Sequence, residues 1–211
     1  MRLKCNLFLM SAVLMGTVAT ASAQISPSES SDLGPTVSKS HPIALSVNYT
    51  AMIGNAPPGQ CGCFLLNGGS SEELFHVWKS IAAVAQVTGS RTGQVPQSQQ
   101  GLSLITYMAG PRYSFPAARR LTVYGQFLAG GAHGFDSYFP KDDMRSSGAA
   151  NSLAFAPGGG LEVGVRNWLS VRAVEAEFLV THLPNNLNEH QHNLRISSGV
   201  VFRFSSWRLN R

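Results

Sequence analysis

The chain has 211 residues, a formal net charge of +5, and only 13% charged residues against 44% hydrophobic ones. This charge is too weak to indicate a nucleic-acid-binding protein, and no basic cluster with interleaved aromatic residues is present. After the first 23 residues, no stretch contains 18 consecutive apolar residues, which excludes a membrane protein built from helices.

Residues 1–23 have the pattern of a secretory signal peptide. Arg2 and Lys4 precede an apolar stretch from Leu7 to Val18, and Ala21-Ser22-Ala23 forms a small-x-small cleavage site. We therefore predict export with removal of this leader, which leaves 188 residues, enough for one domain. A retained N-terminal membrane helix is the alternative.

Two cysteines remain after the leader, Cys61 and Cys63, separated by one glycine. In an oxidising compartment they could form a small disulfide within one loop, which is the preferred interpretation. Free thiols are the second, and a metal site is the third, because zinc usually takes four ligands and no second pair is present. The Ser- and Pro-rich residues 24–42 predict a flexible periplasmic lead-in.

After residue 42, apolar and polar residues alternate in segments that are separated by polar or Gly- and Pro-rich breaks. A period of two is typical of β-strands. Pro111 and Pro157 fall inside two of the segments, and the alternation slips near Val174, where a bulge would explain it. The segments predict eight strands, at about 43–52, 70–77, 80–88, 101–115, 120–132, 151–165, 168–182 and 193–204.

The predicted connections alternate between short and long. Trp78-Lys79, Pro116–Arg119 and Arg166-Asn167 are short, and the remaining connections are longer. Barrels of the outer membrane combine short periplasmic turns with longer external loops in this way. The pattern predicts an all-β fold, an eight-stranded antiparallel up-and-down transmembrane β-barrel over residues 43–204, with a short periplasmic tail at 205–211.

Three segments carry a resemblance to a known family: 55–64 (NAPPGQCGCF), 110–115 (GPRYSF) and 193–204 (NLRISSGVVFRF). The chain resembles the small eight-stranded outer-membrane barrels of the OmpA and OmpX type, and the bacterial "outer membrane protein beta-barrel domain" family in particular. The resemblance implies that the last strand is a recognition signal for the barrel assembly machinery. The signal would be carried by Ser197, Gly199, Val200, Phe202 and Phe204. Many members end at the final Phe, whereas this chain continues to Arg211.

An eight-stranded barrel has an interior that is just wide enough to be filled by side chains. Charged residues inside such a lumen must pair, because an isolated buried charge is costly. The predicted lumen charges are Arg112, Glu162, Glu175, Glu177, Arg195 and Arg203. A structural salt-bridge network is the preferred interpretation, and an ion pathway is the alternative.

Aromatic residues at the predicted periplasmic strand ends indicate a girdle at the lipid–water boundary. They are Trp78, Tyr113, Phe115, Trp168, Phe202 and Phe204. Phe135, Tyr138 and Phe139 either belong to a second girdle on the outer side or are binding aromatics of an external loop.

His182, His190 and His192 bracket the last predicted loop, but their spacing alone is a weak indication of a metal site. His133 with Ser137 is a loose arrangement for an enzyme that modifies lipid A, and no hydrolase or phosphate-binding motif occurs.

We therefore predict a non-enzymatic, monomeric protein of the cell outer membrane, without metal or cofactor. Its predicted partners are outer-membrane lipid and, during biogenesis, the assembly machinery, but not nucleic acid. The predicted role is structural or surface interaction, similar to adhesion. One alternative is a secreted soluble β-barrel or sandwich that binds a ligand, although 13% charged residues is low for a soluble chain, which typically has about 25%. The other is a barrel enzyme that modifies lipid A.

Overall fold

The computed structural model describes residues 43–55, 63–95, 101–140, 146–184 and 190–204. The predicted leader, lead-in and tail lie outside these residues, as do Cys61 and the side chain of Cys63. No helix in the described part of the chain is long and apolar enough to cross a membrane. The strands are β1 (Ile43–Asn55), β2 (Cys63–Trp78), β3 (Ile81–Thr92), β4 (Leu102–Ala118), β5 (Leu121–Pro140), β6 (Ser146–Arg166), β7 (Leu169–Thr181) and β8 (Gln191–Phe204).

The strands form one closed antiparallel sheet in which sequence neighbours pair and β8 returns to β1. The closing ladder extends from the pair of Ile43 and Phe204 to the pair of Ile53 and Leu194. Closure removes the unpaired edges that an open sheet would leave along its wall. The predicted eight-stranded up-and-down barrel is therefore confirmed.

Two-residue turns join β2 to β3, β4 to β5 and β6 to β7, at Lys79–Ser80, Arg119–Arg120 and Asn167–Trp168. They lie at the same end of the barrel as Ile43 and Phe204, which we name the turn end; the opposite end is the loop end. Lys79 has a φ of 39°, a left-handed conformation that is uncommon outside glycine and that a tight hairpin requires. The predicted alternation of short and long connections is confirmed. Two of the short turns lie one residue later than predicted, and the turn predicted at Pro116–Arg119 is shorter because β4 continues to Ala118.

The predicted loops at 54–69 and 133–150 are wrong in part, because strand structure enters both. β2 already begins at Cys63, while β5 continues to Pro140 and β6 begins at Ser146. Phe135 pairs with Ala149 and, after a shift in register, Phe139 pairs with Ser147. The Gly- and Ser-rich sequence there lacks apolar alternation because, beyond the lipid belt, the outward side chains meet water and only the backbone ladder sustains the strand.

Pro111 and Pro157 remain inside regular strands without a bulge. The β4–β5 ladder skips Gly110 and Pro111 and resumes at Arg112 in the same register. The β6–β7 ladder does the same at Ala156 and Pro157. Because each proline lacks an N–H group, it interrupts one ladder, while the neighbouring strand on its other side stays paired.

β7 contains the bulge that the slipped alternation predicted near Val174. Ala173 and Val174 are both exposed, and the register against β8 shifts by one residue between Arg172 and Glu175. An extra residue in one strand leaves two residues opposite one. As a result Arg172 and Glu175, which are three positions apart, both point into the lumen and are completely buried.

Alternate side chains point into the lumen and away from the barrel. In β1, Ser46 and Thr50 are 0% exposed, whereas Val47 and Tyr49 are 52% and 61% exposed. The apolar lumen residues form one cluster that includes Met52, Leu66, Leu104, Leu128 and Leu179. The polar and charged lumen residues make up the rest of the interior, and they form the candidate site.

Candidate functional site

Glu72 lies at the centre of the charged interior. Its Oε1 atom is 2.7 Å from Nη2 of Arg112 and 2.6 Å from Nη2 of Arg172. The three residues come from β2, β4 and β7, so the contacts cross the lumen and join strands that are not neighbours in the sheet. All three side chains are at most 1% exposed, so the charges neutralise one another away from water.

Two further carboxylates complete this cluster around the arginines. Glu162 lies 3.0 Å from Arg172 and 3.6 Å from Arg112, and Glu175 lies 2.8 Å and 3.6 Å from the same two side chains. The guanidinium carbon of Arg112 also lies 3.9 Å from the ring centre of Tyr124, which is cation–π geometry. The hydroxyl of Tyr124 donates to Glu175. Hydrogen bonds in fixed directions therefore lock these side chains in place.

A second cluster is centred on Arg195 of β8. Its guanidinium lies 2.7 Å from Oε2 of Glu177 and donates to Gln86 and, at 3.2 Å, to Thr106. Gln126 connects the two clusters, because it accepts a 2.8 Å hydrogen bond from Arg112 and donates a 3.0 Å bond to Glu177. The lumen of the described barrel therefore contains one continuous polar network.

The charges of this network cancel. Glu72, Glu162, Glu175 and Glu177 face Arg112, Arg172, Arg195 and Arg203. Arg203 lies toward the turn end, where its side chain is 26% exposed, 3.3 Å from Glu162 and hydrogen-bonded to Ser170. Such a network fills the narrow lumen, since a lumen of eight strands has room for side chains and little else.

The structure places all six predicted lumen charges in this network, and it adds two that sequence reasoning missed. Glu72 was missed because the alternation of β2 is poor around Ser70–Glu73, so its direction was not assigned. Arg172 was missed because counting back from Glu175 in steps of two puts it on the outer face. Only the bulge at Ala173 and Val174 turns it inward. The slip in alternation near Val174 was the available signal.

The outer face is apolar over most of its height. Exposed side chains on it include Val47, Val87, Phe127, Leu153 and Phe178. A soluble barrel has the reverse arrangement, with its apolar side chains inside, so this wall is suited to lipid.

The predicted aromatic girdle at the turn end lies on this outer face. Trp78, Tyr113, Phe115, Trp168 and Phe204 are between 50% and 65% exposed. Phe202 is half-buried because its ring stacks on Trp168, with 6.3 Å between the ring centres. The three aromatics expected at the loop end differ in burial. Phe135 is half-buried, whereas Phe139 is 6% exposed and packs inside the barrel. The side chain of Tyr138 lies outside the described part of the structure. The prediction that Phe139 is a girdle or binding residue is wrong, because the bulge before it turns the ring inward.

Glu73 is the exception on the outer face. It is exposed and pairs laterally with Leu45 and Ala85, next to a groove of about 540 Å³ lined by the small residues Ala85, Ala109 and Gly130. Within the described strands it is the one carboxylate on the wall between the turn end and the loop end. Its neighbour Glu72 lies in the lumen, so the two adjacent glutamates occupy opposite environments.

The residues of the predicted assembly signal all lie in the closing strand β8, which pairs with β1 and β7. Ser197 points into the lumen and is 2% exposed. Gly199 faces β1 so closely that a Cβ atom there would lie 2.6 Å from Cα of Asn48 and closer still to the carbonyl oxygen of Val47. Val200 pairs with Val47, and Phe204 pairs with Ile43. Recognition of these residues by an assembly machinery stays a prediction.

The histidines at the loop end are held by local contacts. His182 and His190 meet edge to face with ring centres 4.5 Å apart, and His192 stacks on Phe178 at 5.6 Å. Nδ1 of His133 lies 2.6 Å from Oδ1 of Asn151. In the described residues no group of three His, Cys, Asp or Glu side chains is placed to hold a metal ion.

Comparison with known proteins gives matches in solved structures only. Neisserial surface protein A matches over 78% of this chain and 98% of its own, with 11% sequence identity and a TM-score of 0.58. Ail, the attachment invasion locus protein of Yersinia pestis, crystallised with the heparin analogue sucrose octasulfate, covers 76% of this chain and 97% of its own (13% identity, TM-score 0.49). The N-terminal β-barrel domain of Pseudomonas aeruginosa OprF has the same coverage (15% identity, TM-score 0.42).

No family model matches the sequence, and no curated protein sequence matches it. At 11% identity, the match to Neisserial surface protein A is evidence for the fold alone. The resemblance to small eight-stranded outer-membrane barrels is therefore confirmed at the level of the fold, which this chain shares with them.

Proposed function

We propose that this protein is a non-enzymatic barrel of the bacterial outer membrane that serves in surface interaction. The closed wall with its apolar outer face supports placement in a membrane. The predicted signal peptide supports export. The filled and neutral lumen supports a structural scaffold rather than a pore. The role in interaction rests on the loop end.

The observation that carries the role is the length of the β5–β6 hairpin. On the β4 side, pairing of β5 ends at Phe135, although β5 continues to Pro140. On the β7 side, pairing of β6 ends at Ala154, although β6 begins at Ser146. Among the described residues, both outer edges of this hairpin therefore lack a ladder partner beyond the wall. Such a projection offers backbone N–H and C=O groups to an external partner.

Other observations argue against the alternatives. An enzyme that modifies lipid A would need a base and a nucleophile joined at the rim, but among the described residues His133 is hydrogen-bonded to Asn151 and not to Ser137. A soluble secreted barrel would need the opposite arrangement of faces, because charged residues such as Arg112 and Glu72 occupy this lumen and residues such as Val47 face outward.

Placement in the membrane is tested by fractionation and gel mobility. We expect the processed protein in the outer-membrane fraction, with faster migration on SDS gels when it is not boiled, because a closed barrel stays folded in the detergent. A soluble periplasmic protein whose mobility does not change on boiling would contradict the proposal.

Exposure of the hairpin is tested by cysteine labelling in a background with Cys61→Ser and Cys63→Ser. We expect Gly148→Cys, at an exposed site of β6, to react on intact cells with a maleimide that cannot cross membranes. Ser80→Cys in the β2–β3 turn is the matched control and should react only after lysis. The reverse pattern would overturn the orientation.

The interaction role itself is tested by shortening the hairpin. A variant in which residues 136–148 are replaced by a short glycine-containing turn keeps every strand pair of the wall up to Phe135 and Ala149. We expect cells with this variant to adhere less to host-cell monolayers or to one another than cells with the intact protein at equal surface level. Equal adherence would leave the barrel as a structural protein only.

A further inference from the structure

Basic residues lie in or directly before all three short turns. Lys79 lies in the β2–β3 turn, Arg119 and Arg120 form the β4–β5 turn, and Arg166 immediately precedes the β6–β7 turn. All four side chains are exposed, and the three turns contain no acidic residue. We name these four residues the basic collar. Because the turns follow one another around the turn end, the collar surrounds much of the barrel's circumference.

The charges of the basic collar are not neutralised by the described part of the protein. The basic residues that form ion pairs in the described part of the protein are Arg112, Arg172, Arg195 and Arg203, and all four point into the lumen network. No collar residue takes part in an ion pair with a described residue. Four unpaired cations on one rim create a positive potential that attracts an external anion.

The height of the collar on the barrel identifies this anion. Trp78 precedes Lys79 directly, and the ammonium of Lys79 lies 5.6 Å from the centre of the Trp78 ring. Phe115 lies four residues before Arg119, and Trp168 lies two residues after Arg166. Aromatic rings of this kind mark the boundary between the hydrocarbon and the headgroups. Cations beside or just beyond these rings, at the end of an apolar wall, therefore lie at the height of lipid phosphates.

We propose that the basic collar binds the phosphate groups of anionic phospholipids in the leaflet at the turn end. This inference rests on the proposed function, because it requires the barrel to span a membrane. Arginine can bind phosphate through two parallel N–H donors, and lysine adds a point charge. A basic side chain near an anionic lipid surface strengthens binding about fivefold. The collar concentrates anionic lipid around the barrel and fixes its vertical position in the bilayer.

The test uses the full protein in nanodiscs of phosphatidylcholine mixed with phosphatidylglycerol. The phosphatidylglycerol that stays bound after mild detergent extraction is measured by native mass spectrometry. We expect severalfold enrichment of phosphatidylglycerol over its share of the bilayer. A variant with Lys79→Gln, Arg119→Gln, Arg120→Gln and Arg166→Gln should lose most of this enrichment. The matched control Arg91→Gln removes an exposed cation from the loop end and should retain it.

A second variant separates charge from folding. Replacing the three collar arginines by lysine keeps every charge and should keep most of the enrichment. Unboiled gel mobility reports in each sample whether the barrel is folded and inserted. A wild-type protein that does not insert would overturn both this inference and the proposed function.

Inserted protein without enrichment, or equal enrichment in the glutamine variant, would overturn the collar alone. Inorganic phosphate is added as a competitor in a parallel sample. The phosphate is kept at millimolar concentration, and the ionic strength of the two samples is matched with sodium chloride. Enrichment that persists assigns the collar to lipid phosphate, whereas enrichment that is abolished shows that free phosphate occupies the collar in preference to lipid and overturns the assignment.

Discussion

Glu72 and Glu73 are adjacent in β2 but lie in opposite environments. Glu72 is fully buried in the lumen, where Arg112 and Arg172 contact the same carboxylate oxygen. Glu73 is exposed on the outer wall beside Leu45 and Ala85. In the described residues no ion pair involves Glu73. The period of two residues along a strand is enough to separate the two side chains by the full thickness of the wall.

The two faces of this barrel accommodate charged residues differently. In the lumen, charged residues are tolerated because each has a partner of opposite sign, and loss of one partner leaves a buried charge uncompensated. Among the described residues, the outer face of the wall offers no such partners, and the requirement there is an apolar surface that lipid can cover. In the same strand, a charge is therefore tolerated on the lumen face when it is paired, and is costly on the outer face.

Removing the carboxylate of Glu72 should have the largest effect. With Glu72→Gln, Arg112 and Arg172 lose the oxygen that both share, and we expect the free energy of unfolding to fall by about 3–5 kcal/mol. The measurement is urea unfolding in lipid vesicles, followed by tryptophan fluorescence. Glu73→Gln is the matched control and should change stability little. Similar losses for the two variants would contradict the difference between the faces.

Substitutions of Arg195 and Glu177 test whether the lumen charges act as pairs. We expect Arg195→Met and Glu177→Leu each to destabilise the barrel strongly, because each leaves one charge of the 2.7 Å ion pair in the lumen without its counterpart. The double variant should lose less than the sum, with a coupling energy of about 2 kcal/mol in a double-mutant cycle. Additive losses would mean that the two residues act independently.

Alanine substitutions at Gly199 and Gly89 compare how tightly the two faces are packed. A methyl group at Gly199 would overlap the backbone of β1, whereas at Gly89 on the outer face it would meet nothing within 4 Å. We expect Gly199→Ala to lower the free energy of unfolding by about 1–3 kcal/mol and Gly89→Ala to be nearly neutral.

Spontaneous folding of the same two variants into vesicles distinguishes packing from recognition. A defect of Gly199→Ala without any assembly factor present would assign Gly199 a packing role. Normal spontaneous folding, with failure only in cells, would support its predicted role in the assembly signal.

Replacing Glu73 should have the smallest effect on stability, and it should stabilise the barrel rather than destabilise it. Replacing it by leucine gives the wall a continuous apolar surface, and we expect a gain of about 0–2 kcal/mol, since acidic residues on the lipid face are less costly than basic ones. Unfolding in the same vesicles measures it. A clear loss of stability would show that Glu73 has a favourable partner in the membrane.

The sequence predicts the wall much better than it predicts the loop end of the barrel. Within the lipid belt, each outward residue must be apolar whatever its neighbours are, so Val47, Phe127 and Phe178 identify their faces without knowledge of a partner. Beyond the lipid belt this requirement ends, and the strands continue into segments such as 136–140 and 146–150, whose sequence predicts loops. Their strand structure depends on pairing between β5 and β6 rather than on their own side chains.

The sequence alone determined the eight strands, the faces of most of them and the side of the short turns, because lipid selects residues one position at a time. The tertiary structure alone decided which lumen charges meet. Glu72 is 40 residues from Arg112 and 100 from Arg172 in the chain, and their contact depends on the register of every ladder between them. A single extra residue in β7 turns Arg172 inward, and no local pattern reveals the partner that it finds there.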